Sequence, residues 1–122
     1  VISLLLTYLG DVLHEIQNAV LVVQQRGLLR KGLGLCHGIA GNMYTLLEAQ
    51  ARSPSRTSEE TIQSYLLCML NHTTLRDNCI MGVSDAEFSL FEGQAGALVC
   101  LVDYLESLTG GLCQGFPFYS DC

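Results

Sequence analysis

Apolar residues recur every three or four positions along the first 26 residues of the chain, and polar residues fill the positions between them. Such a 3.6-residue period is typical of an amphipathic helix, so we predict a helix over residues 2–26. Gly27 is expected to follow as a left-handed stop at its C-terminus. The apolar stripe of this helix consists of Leu5, Leu9, Val12, Ile16, Val20 and Val23.

Two further stretches show the same periodicity. The second helix is predicted over residues 36–52, since Pro54 disfavours helical backbone just before it. Thr57 stands three residues before Glu60. This is a capping-box pattern, and it predicts the start of a third helix over about residues 58–71.

The last part of the chain is predicted to hold one more helix between two irregular segments. Apolar residues at helical spacing indicate a helix over residues 92–109, which Gly110 and Gly111 end. Residues 72–89 lack sustained periodicity and are predicted to be a long connection. Residues 111–122 are predicted to be an irregular tail. The pattern as a whole predicts an all-α fold.

A short motif occurs twice in the chain. Leu35–Gly41 and Leu90–Gly96 match at Leu, Gly, Ala and Gly with an offset of 55 residues, and each copy opens an apolar helix. A period of this size is typical of stacked helical hairpins that bury a face on their neighbours. Two repeats are too few to close a core, so we expect apolar faces to stay uncovered. Because glycine costs about 1 kcal/mol relative to alanine inside a helix, the paired glycines indicate close backbone approach; they are Gly38, Gly41, Gly93 and Gly96.

Composition excludes several classes of protein. The chain has 122 residues, enough for one ordinary domain, and its 49% apolar and 15% charged residues exclude a disordered tail. The twelve acidic residues outnumber the six basic ones, which argues against binding to a nucleic-acid backbone. No apolar stretch approaches the roughly 20 residues that span a bilayer, so no transmembrane segment is expected.

The first residues are apolar but lack the basic lead and the small-residue cleavage site of a secretory signal. The first residue is Val1 rather than methionine, so we expect the sequence to start inside a larger protein. We expect that protein to be cytoplasmic, with any membrane association coming from an N-terminus outside this sequence.

The six cysteines form no C-x-x-C pair and no regular framework. Small disulfide scaffolds are rich in loops, whereas this sequence has long helical stripes, so we favour a reducing compartment. Cys68 and Cys100 lie within apolar helical patterns and are expected to be buried and unreactive.

Cys36 and His37 are the adjacent residues with the clearest metal chemistry. Thiolate and imidazole are natural zinc ligands, and a thiolate ahead of a helix N-terminus is favoured by the helix dipole. Neighbouring side chains can share one ion where the backbone is not yet helical, as at a helix start. The spacing alone leaves open whether the pair binds a metal. His14 and His72 lie on polar faces or ends of helices and are expected to be solvated.

Two runs of sequence resemble the C-terminal end of eukaryotic LanC-like proteins, which are relatives of the bacterial lanthionine synthetase cyclase component. Residues 27–47 contain the block C-H-G-x-x-G, and residues 88–105 contain S-L-F-E-G-x-x-G. The resemblance extends over about residues 8–109. It implies a toroid of two concentric layers of helices, an (α/α) barrel akin to the six-hairpin glycosidases. Residues 1–110 would form the C-terminal part of that barrel.

In that fold, residues 37–52 and 92–109 would be inner helices, and residues 2–26 and 58–71 would be outer ones. The resemblance also implies a zinc ion held by Cys36, His37 and a further cysteine in another C-H-G motif upstream of residue 1. The family's acid–base candidates would lie upstream as well, so no catalytic residue is assigned within this chain.

The function that the resemblance implies is activation of a thiol for addition to a dehydrated serine or threonine. For the eukaryotic members that thiol is glutathione, added to dehydroalanine or dehydrobutyrine residues of peptides or proteins with formation of a thioether. Zinc would lower the pKa of the thiol and hold the nucleophile in place. In the second copy of the motif, Glu92 lies at the position that corresponds to the Cys-His pair of the first copy, and it is not assigned a ligand role. It is a possible cavity residue or a partner of the helix dipole.

Three alternatives remain open at this stage. The chain could belong to a glutathione-binding or adaptor module without turnover, or it could be an inactive fragment because the upstream zinc ligand is missing. A carbohydrate-active (α/α) barrel would need paired catalytic carboxylates, and no such pair stands out in the sequence.

Overall fold

The computed structural model describes residues 2–111 and 115–117, and all regular secondary structure within them is helical. The all-α fold expected from the sequence is therefore confirmed. Most of the predicted tail, residues 112–114 and 118–122, lies outside the described residues. The helices are α1 (Ile2–Arg26), α2 (Ile39–Arg52), α3 (Arg56–Leu70), α4 (His72–Asp77) and α5 (Gln94–Leu108).

The second helix, α2, is the centre of the arrangement and packs against α1, α3 and α5. Its apolar residues recur at three- and four-residue spacing and so lie on one face. Met43 and Leu46 are fully buried in that face. Tyr65 of α3 and Cys100 of α5 are buried in the same core. Each large apolar side chain buried here contributes about 1.5–3 kcal/mol, so α2 holds the other three helices together.

The first helix, α1, is long but contributes little to the core, and none of its residues is fully buried. Val20 and Val23 near its C-terminus are half-buried and pack against the core. The rest of the predicted stripe, including Leu5 and Leu9, is exposed. The expectation of uncovered apolar faces is confirmed. Among the described residues, no helix combines the length and the hydropathy needed to cross a membrane.

Tyr65 joins α3 to the C-terminal end of α1. Its hydroxyl donates a 2.8 Å hydrogen bond to the carbonyl oxygen of Val23. Burial, followed by the negative charge of the nearby Cys68 thiolate, raises the pKa of Tyr65 to about 12. Gly27, predicted as a left-handed stop, does not have a positive φ. A glycine is required there for a different reason, because a Cβ would lie 2.0 Å from the Tyr65 hydroxyl oxygen.

The helices α2 and α5 begin later than the periodicity predicts, by three residues and two residues respectively. The residues before each helix, Gly38 and Gly93, have extended backbone, with φ of −117° and −126°. An N-cap residue has non-helical backbone, so each helix can begin only after its glycine. The apolar spacing continues into a turn that is not helical, which is why the sequence pattern overestimates both helices.

The capping box predicted at Thr57 is wrong. The third helix begins at Arg56, and Ser55 is its N-cap, with a side-chain oxygen that accepts a 3.1 Å hydrogen bond from the N–H of Ser58. Ser55 has the extended backbone that an N-cap needs, with φ −143° and ψ 148°. Thr57 already lies in the first turn of the helix, where it has no capping role.

The connection predicted over residues 72–89 contains the short helix α4, whose six residues are too few to show periodicity. His72 begins it and is half-buried, with its Nδ1 3.3 Å from the carbonyl oxygen of Met69. The expectation that His72 is solvated is therefore wrong, because the turn from α3 into α4 folds its ring back onto α3. His14, on the exposed face of α1, is exposed as expected.

The two helical cysteines differ in burial. Cys100 is fully buried as expected, and its Sγ lies 3.7 Å from the carbonyl oxygen of Ala40 as a hydrogen-bond donor. Cys68 is only half-buried, which corrects the prediction. Tyr65 and Met69, one helical turn apart, occupy the buried face of α3, and Cys68 lies beside that face.

Candidate metal and thiol site

The two copies of the glycine motif form the same turn at the start of α2 and of α5. The N–H of Ile39 donates to the carbonyl oxygen of Gly32 at 3.1 Å, and the N–H of Gln94 donates to the carbonyl oxygen of Glu87 at 2.7 Å. Donors and acceptors are both related by the offset of 55 residues. Each helix therefore uses its first N–H on a loop carbonyl seven residues earlier, and the sequence repeat is a structural repeat.

The second glycine of each motif, Gly41 or Gly96, is packed against a backbone carbonyl group of the turn before its helix. A Cβ at Gly41 would be 2.0 Å from the carbonyl oxygen of Leu35, and one at Gly96 would be 2.2 Å from that of Leu90. A real Cβ never approaches an oxygen so closely, and the obstacle is backbone rather than a movable side chain. The close approach predicted for these glycines is confirmed, again at equivalent positions.

The two turns also contact each other. The N–H of Cys36 donates a 2.7 Å hydrogen bond to the carbonyl oxygen of Phe91, which is the residue equivalent to Cys36 in the second copy. Gly34 permits this contact, since a Cβ on it would lie 2.4 Å from the same carbonyl oxygen. A second link joins the loops, in which Gly82 donates from its N–H to the carbonyl oxygen of Arg30 at 2.6 Å. The segment that carries Cys36 is thus held by the loop before α5.

Cys36 and His37 lie in the turn just before α2, and both are exposed. Their Sγ and Nε2 atoms are 3.6 Å apart. The first N–H groups of α2 are used by the carbonyl oxygens of residues 32–34, so the backbone at the helix start is already paired without either side chain. The two side chains contact each other through a hydrogen bond whose donor depends on the histidine tautomer. Thiolate and imidazole are both side chains that zinc accepts as ligands.

The described part of the chain offers no group of three His, Cys, Asp or Glu side chains that could hold a metal ion. Glu92 is exposed, and its N–H donates to the Ser89 hydroxyl oxygen at 3.0 Å. Its carboxylate does not complete a ligand set with Cys36 and His37. Among the described residues, Cys79 is also an exposed thiol; it has a φ of +56° and belongs to no such set.

A small cleft beside the two turns contains polar residues that the sequence analysis does not single out. Arg76 donates from Nη1 to Oε1 of Glu87 at 2.7 Å, and Gln94 donates from Nε2 to the same oxygen at 3.1 Å. Gly32, which has a φ of +146°, and Gly93 line the same cleft. Glu87 is the equivalent of Gly32 in the second copy, but the two residues differ in type, so the repeat does not single out Glu87.

Comparison with known proteins identifies the family of the chain. The model of the family described as lanthionine synthetase C-like protein matches residues 3–110. The chain belongs to the lanthionine synthetase C-like family. The all-α arrangement is accordingly a part of the helical toroid of LanC-like proteins, incomplete in this chain.

A curated relative of this LanC-like chain is the glutathione S-transferase LANCL1 of Danio rerio. The two are 40% identical over 88 residues, which are 70% of this chain and 20% of the relative. The chain thus spans about a fifth of the length of the relative that it matches. No solved structure matches the LanC-like chain. The assignment of α2 and α5 as inner helices, and of α1 and α3 as outer ones, stays a prediction from the family.

Proposed function

We propose that Cys36 and His37 are two of the three protein ligands of a zinc site in a LanC-like protein that adds glutathione to dehydroalanine or dehydrobutyrine residues. The third ligand is a cysteine of a further C-H-G motif upstream of residue 1. The observation that carries the proposal is the 3.6 Å separation of the Cys36 Sγ and His37 Nε2 atoms on an exposed turn.

That separation fits the metal. Zinc binds sulfur at about 2.3 Å and nitrogen at about 2.0–2.1 Å in a tetrahedral arrangement, so two such ligands stand about 3.6 Å apart. The distance between the Cys36 Sγ and His37 Nε2 atoms is therefore the one that two ligands of a zinc ion would have. A site with three protein ligands keeps a fourth position open, which is typical of catalytic rather than structural zinc.

The residues of this chain would supply placement rather than acid–base chemistry. A bound zinc ion would contribute a lowered pKa of the incoming thiol and a fixed position for its sulfur. Cys36 and His37 would set where that sulfur lies, because their own positions are fixed by the turn. The paired glycines and the Cys36–Phe91 hydrogen bond make that turn stiff. Stiffness counts because an attacking atom must be held close to its target in the correct orientation.

Glutathione is proposed as the thiol because the relative that matches 70% of this chain is named a glutathione S-transferase. The dehydrated serine or threonine of a peptide or protein is proposed as the acceptor, with a thioether as the product. The thiol would lose its proton, the sulfur would form a bond to the β-carbon as the Cα=Cβ double bond becomes a single bond, and a proton would be added at the α-carbon, so the addition is balanced and needs no redox partner. The free thiols of Cys36, Cys68 and Cys79 support a reducing, cytoplasmic location.

The test compares three single variants of the complete protein with the wild type. Cys36→Ala removes a proposed ligand, and His37→Ala removes the other. Cys79→Ser is the matched control, since Cys79 is also an exposed free thiol but lies outside the turn. We expect Cys36→Ala and His37→Ala to lose zinc by elemental analysis and to lose glutathione addition to a dehydroalanine peptide. Cys79→Ser should retain both.

Full zinc content and full activity in Cys36→Ala would overturn the proposal. The measurement also separates the alternative of a binding module without turnover. Such a module would bind glutathione in calorimetry and would lose that binding in Cys36→Ala, yet the wild type would give no thioether product under any condition tested.

A further inference from the structure

We infer that Glu87 is a positioning residue for the Cys36–His37 pair, which it controls through the turn that carries the Phe91 carbonyl group. The inference rests on the proposed function, and it adds a residue that lies outside both motif blocks.

The backbone position of Cys36 depends on the second turn. The side chain of Cys36 is exposed, so packing does not fix its direction. Its backbone is fixed instead by the 2.7 Å hydrogen bond from its N–H to the carbonyl oxygen of Phe91. A hydrogen bond of this length restrains the Cα–Cβ direction, and with it the position of Sγ. The position of the Phe91 carbonyl group therefore determines where the thiol can be.

The turn over residues 86–93 is held together by hydrogen bonds of its own. Ser89 is its centre, because its N–H donates to Ala86 at 3.0 Å and its carbonyl oxygen accepts from Gly93 at 3.0 Å. Its hydroxyl oxygen accepts from the N–H of Glu92, also at 3.0 Å. Bonds at both ends and in the middle make the turn move as one unit.

Glu87 attaches the turn over residues 86–93 to the neighbouring helices. The carboxylate of Glu87 accepts from Arg76 on α4 and from Gln94 on α5, and its backbone carbonyl oxygen accepts from the N–H of Gln94. The Arg76 and Glu87 side chains are each 34% exposed, so water screens this ion pair less than a fully exposed one. Glu87 thus joins the turn to two helices.

The equivalent position in the first copy shows what the carboxylate adds. Gly32 makes the same backbone hydrogen bond to α2 that Glu87 makes to α5, but it has no side chain to reach another helix. The first turn, which carries the proposed metal pair, is held by the buried side chains of Leu33 and Leu35 and by backbone hydrogen bonds. The hydrogen bond from Cys36 to Phe91 joins it to the second turn, which Glu87 ties to α4 and α5.

The experiment uses the complete protein with Glu87→Ala, Glu87→Gln and Arg76→Leu, and with Glu60→Ala as the control. Glu60 forms an exposed ion pair with Arg56 within α3, away from both turns. Zinc affinity is measured by chelator competition, and amide hydrogen exchange of a peptide containing Cys36 is measured in the zinc-free protein. The thiol-addition kcat and KM are measured for each variant.

We expect Glu87→Ala and Arg76→Leu to weaken zinc binding about tenfold, the lower end of what loss of a supporting group around a metal ligand costs. Exchange of the Cys36 amide should accelerate about tenfold as well, while melting stays cooperative. Glu87→Gln keeps an acceptor oxygen for both donors and should restore most of the zinc affinity. Glu60→Ala should leave all readouts unchanged.

Unchanged zinc affinity and unchanged Cys36 exchange in both Glu87→Ala and Arg76→Leu would overturn the inference. That outcome is distinct from failure of the proposed function, which would show as zinc retained in Cys36→Ala. If Glu87→Ala does not fold, Arg76→Leu breaks the same hydrogen bond from α4 and decides the question alone.

Discussion

The two copies of the glycine motif share a backbone and differ in what they present to solvent. In the first copy the exposed residues before the helix are Cys36 and His37, and in the second they are Phe91 and Glu92. Both copies place an extended glycine at the N-cap, and both press a second glycine onto a carbonyl oxygen six residues earlier. The scaffold is therefore constant while the chemistry changes.

This difference indicates which constraints act on each position. A glycine that meets a backbone atom within 2.5 Å has no acceptable substitute, since the obstacle is part of the same turn. The side chains of the two residues before the N-cap are exposed, so core packing does not restrict their identity. The fold thus has two equivalent pairs of exposed positions. Cys36 and His37 occupy one pair, and Phe91 and Glu92 occupy the other.

The strongest way to break the comparison is to add a methyl group at the second glycine of each copy. Gly41→Ala and Gly96→Ala should each lower the free energy of unfolding by about 3–4 kcal/mol, because the new Cβ overlaps a carbonyl oxygen that cannot move aside. Urea unfolding followed by circular dichroism measures both.

Gly10→Ala is the control for this pair, since a Cβ at Gly10 on α1 would meet no atom within 4 Å. Removing a glycine from an exposed helix interior should stabilise the protein, by up to about 1 kcal/mol. A large loss at Gly41 with none at Gly96 would show that the two copies are not equivalent.

A smaller effect should appear at alkaline pH on the side of the first copy, where α1 and α3 flank α2. The buried Tyr65 has its pKa raised from 10.0 to about 12, so between these values the unfolded chain loses the phenolic proton and the folded chain keeps it. Stability from this group is complete below pH 10 and falls as the pH rises, by about 2 kcal/mol at pH 12.

Tyr65→Phe removes the titrating group and is the matched variant. The free energy of unfolding, measured by urea titration from pH 9 to pH 12, should fall less steeply in Tyr65→Phe than in the wild type. Equal slopes in the two proteins would contradict the assignment to Tyr65.

The smallest effect sharpens the comparison directly, by transferring the Cys-His pair to the second copy. In the double variant Phe91→Cys with Glu92→His, the shared backbone should bring the new Sγ and Nε2 atoms to within about 4 Å of each other, as in a tetrahedral pair. Zinc titration should reveal an additional site that is weaker than the first, since a third protein ligand is proposed for the first pair alone. Cooperative melting with no additional zinc uptake would show that the two turns differ in ways that the backbone hydrogen bonds do not record.

The sequence predicts the four long helices because their apolar faces repeat often enough to be read. It overestimates the starts of α2 and α5, since periodicity does not distinguish a helix from the turn that leads into it. The cap of α3 is misassigned for a related reason. Ser55 and Thr57 carry similar hydroxyl groups, and their backbone angles decide between them.

The candidate site is predicted in part. Cys36 and His37 are singled out by residue type and by family motif, and the structure adds the 3.6 Å separation of their Sγ and Nε2 atoms; their role as metal ligands stays a prediction. Glu87 and Arg76 are not singled out by the sequence, because they meet through a contact between α4 and a turn eleven residues later in the chain. No local pattern reports such a contact. The burial of His72 is missed for the same reason, since it depends on how α4 turns back onto α3.

The hydrogen bond between Cys36 and Phe91 has a consequence for how much the chain between them can change in length. This bond joins equivalent residues of the two copies, so both ends of the segment between residues 36 and 91 are held in place. Closing a longer flexible loop costs only about 0.6 kcal/mol for each doubling of length. The exposed linker at residues 53–55 can therefore accept inserted residues, and the hairpin can be extended there without moving the turn that holds the thiol and the imidazole.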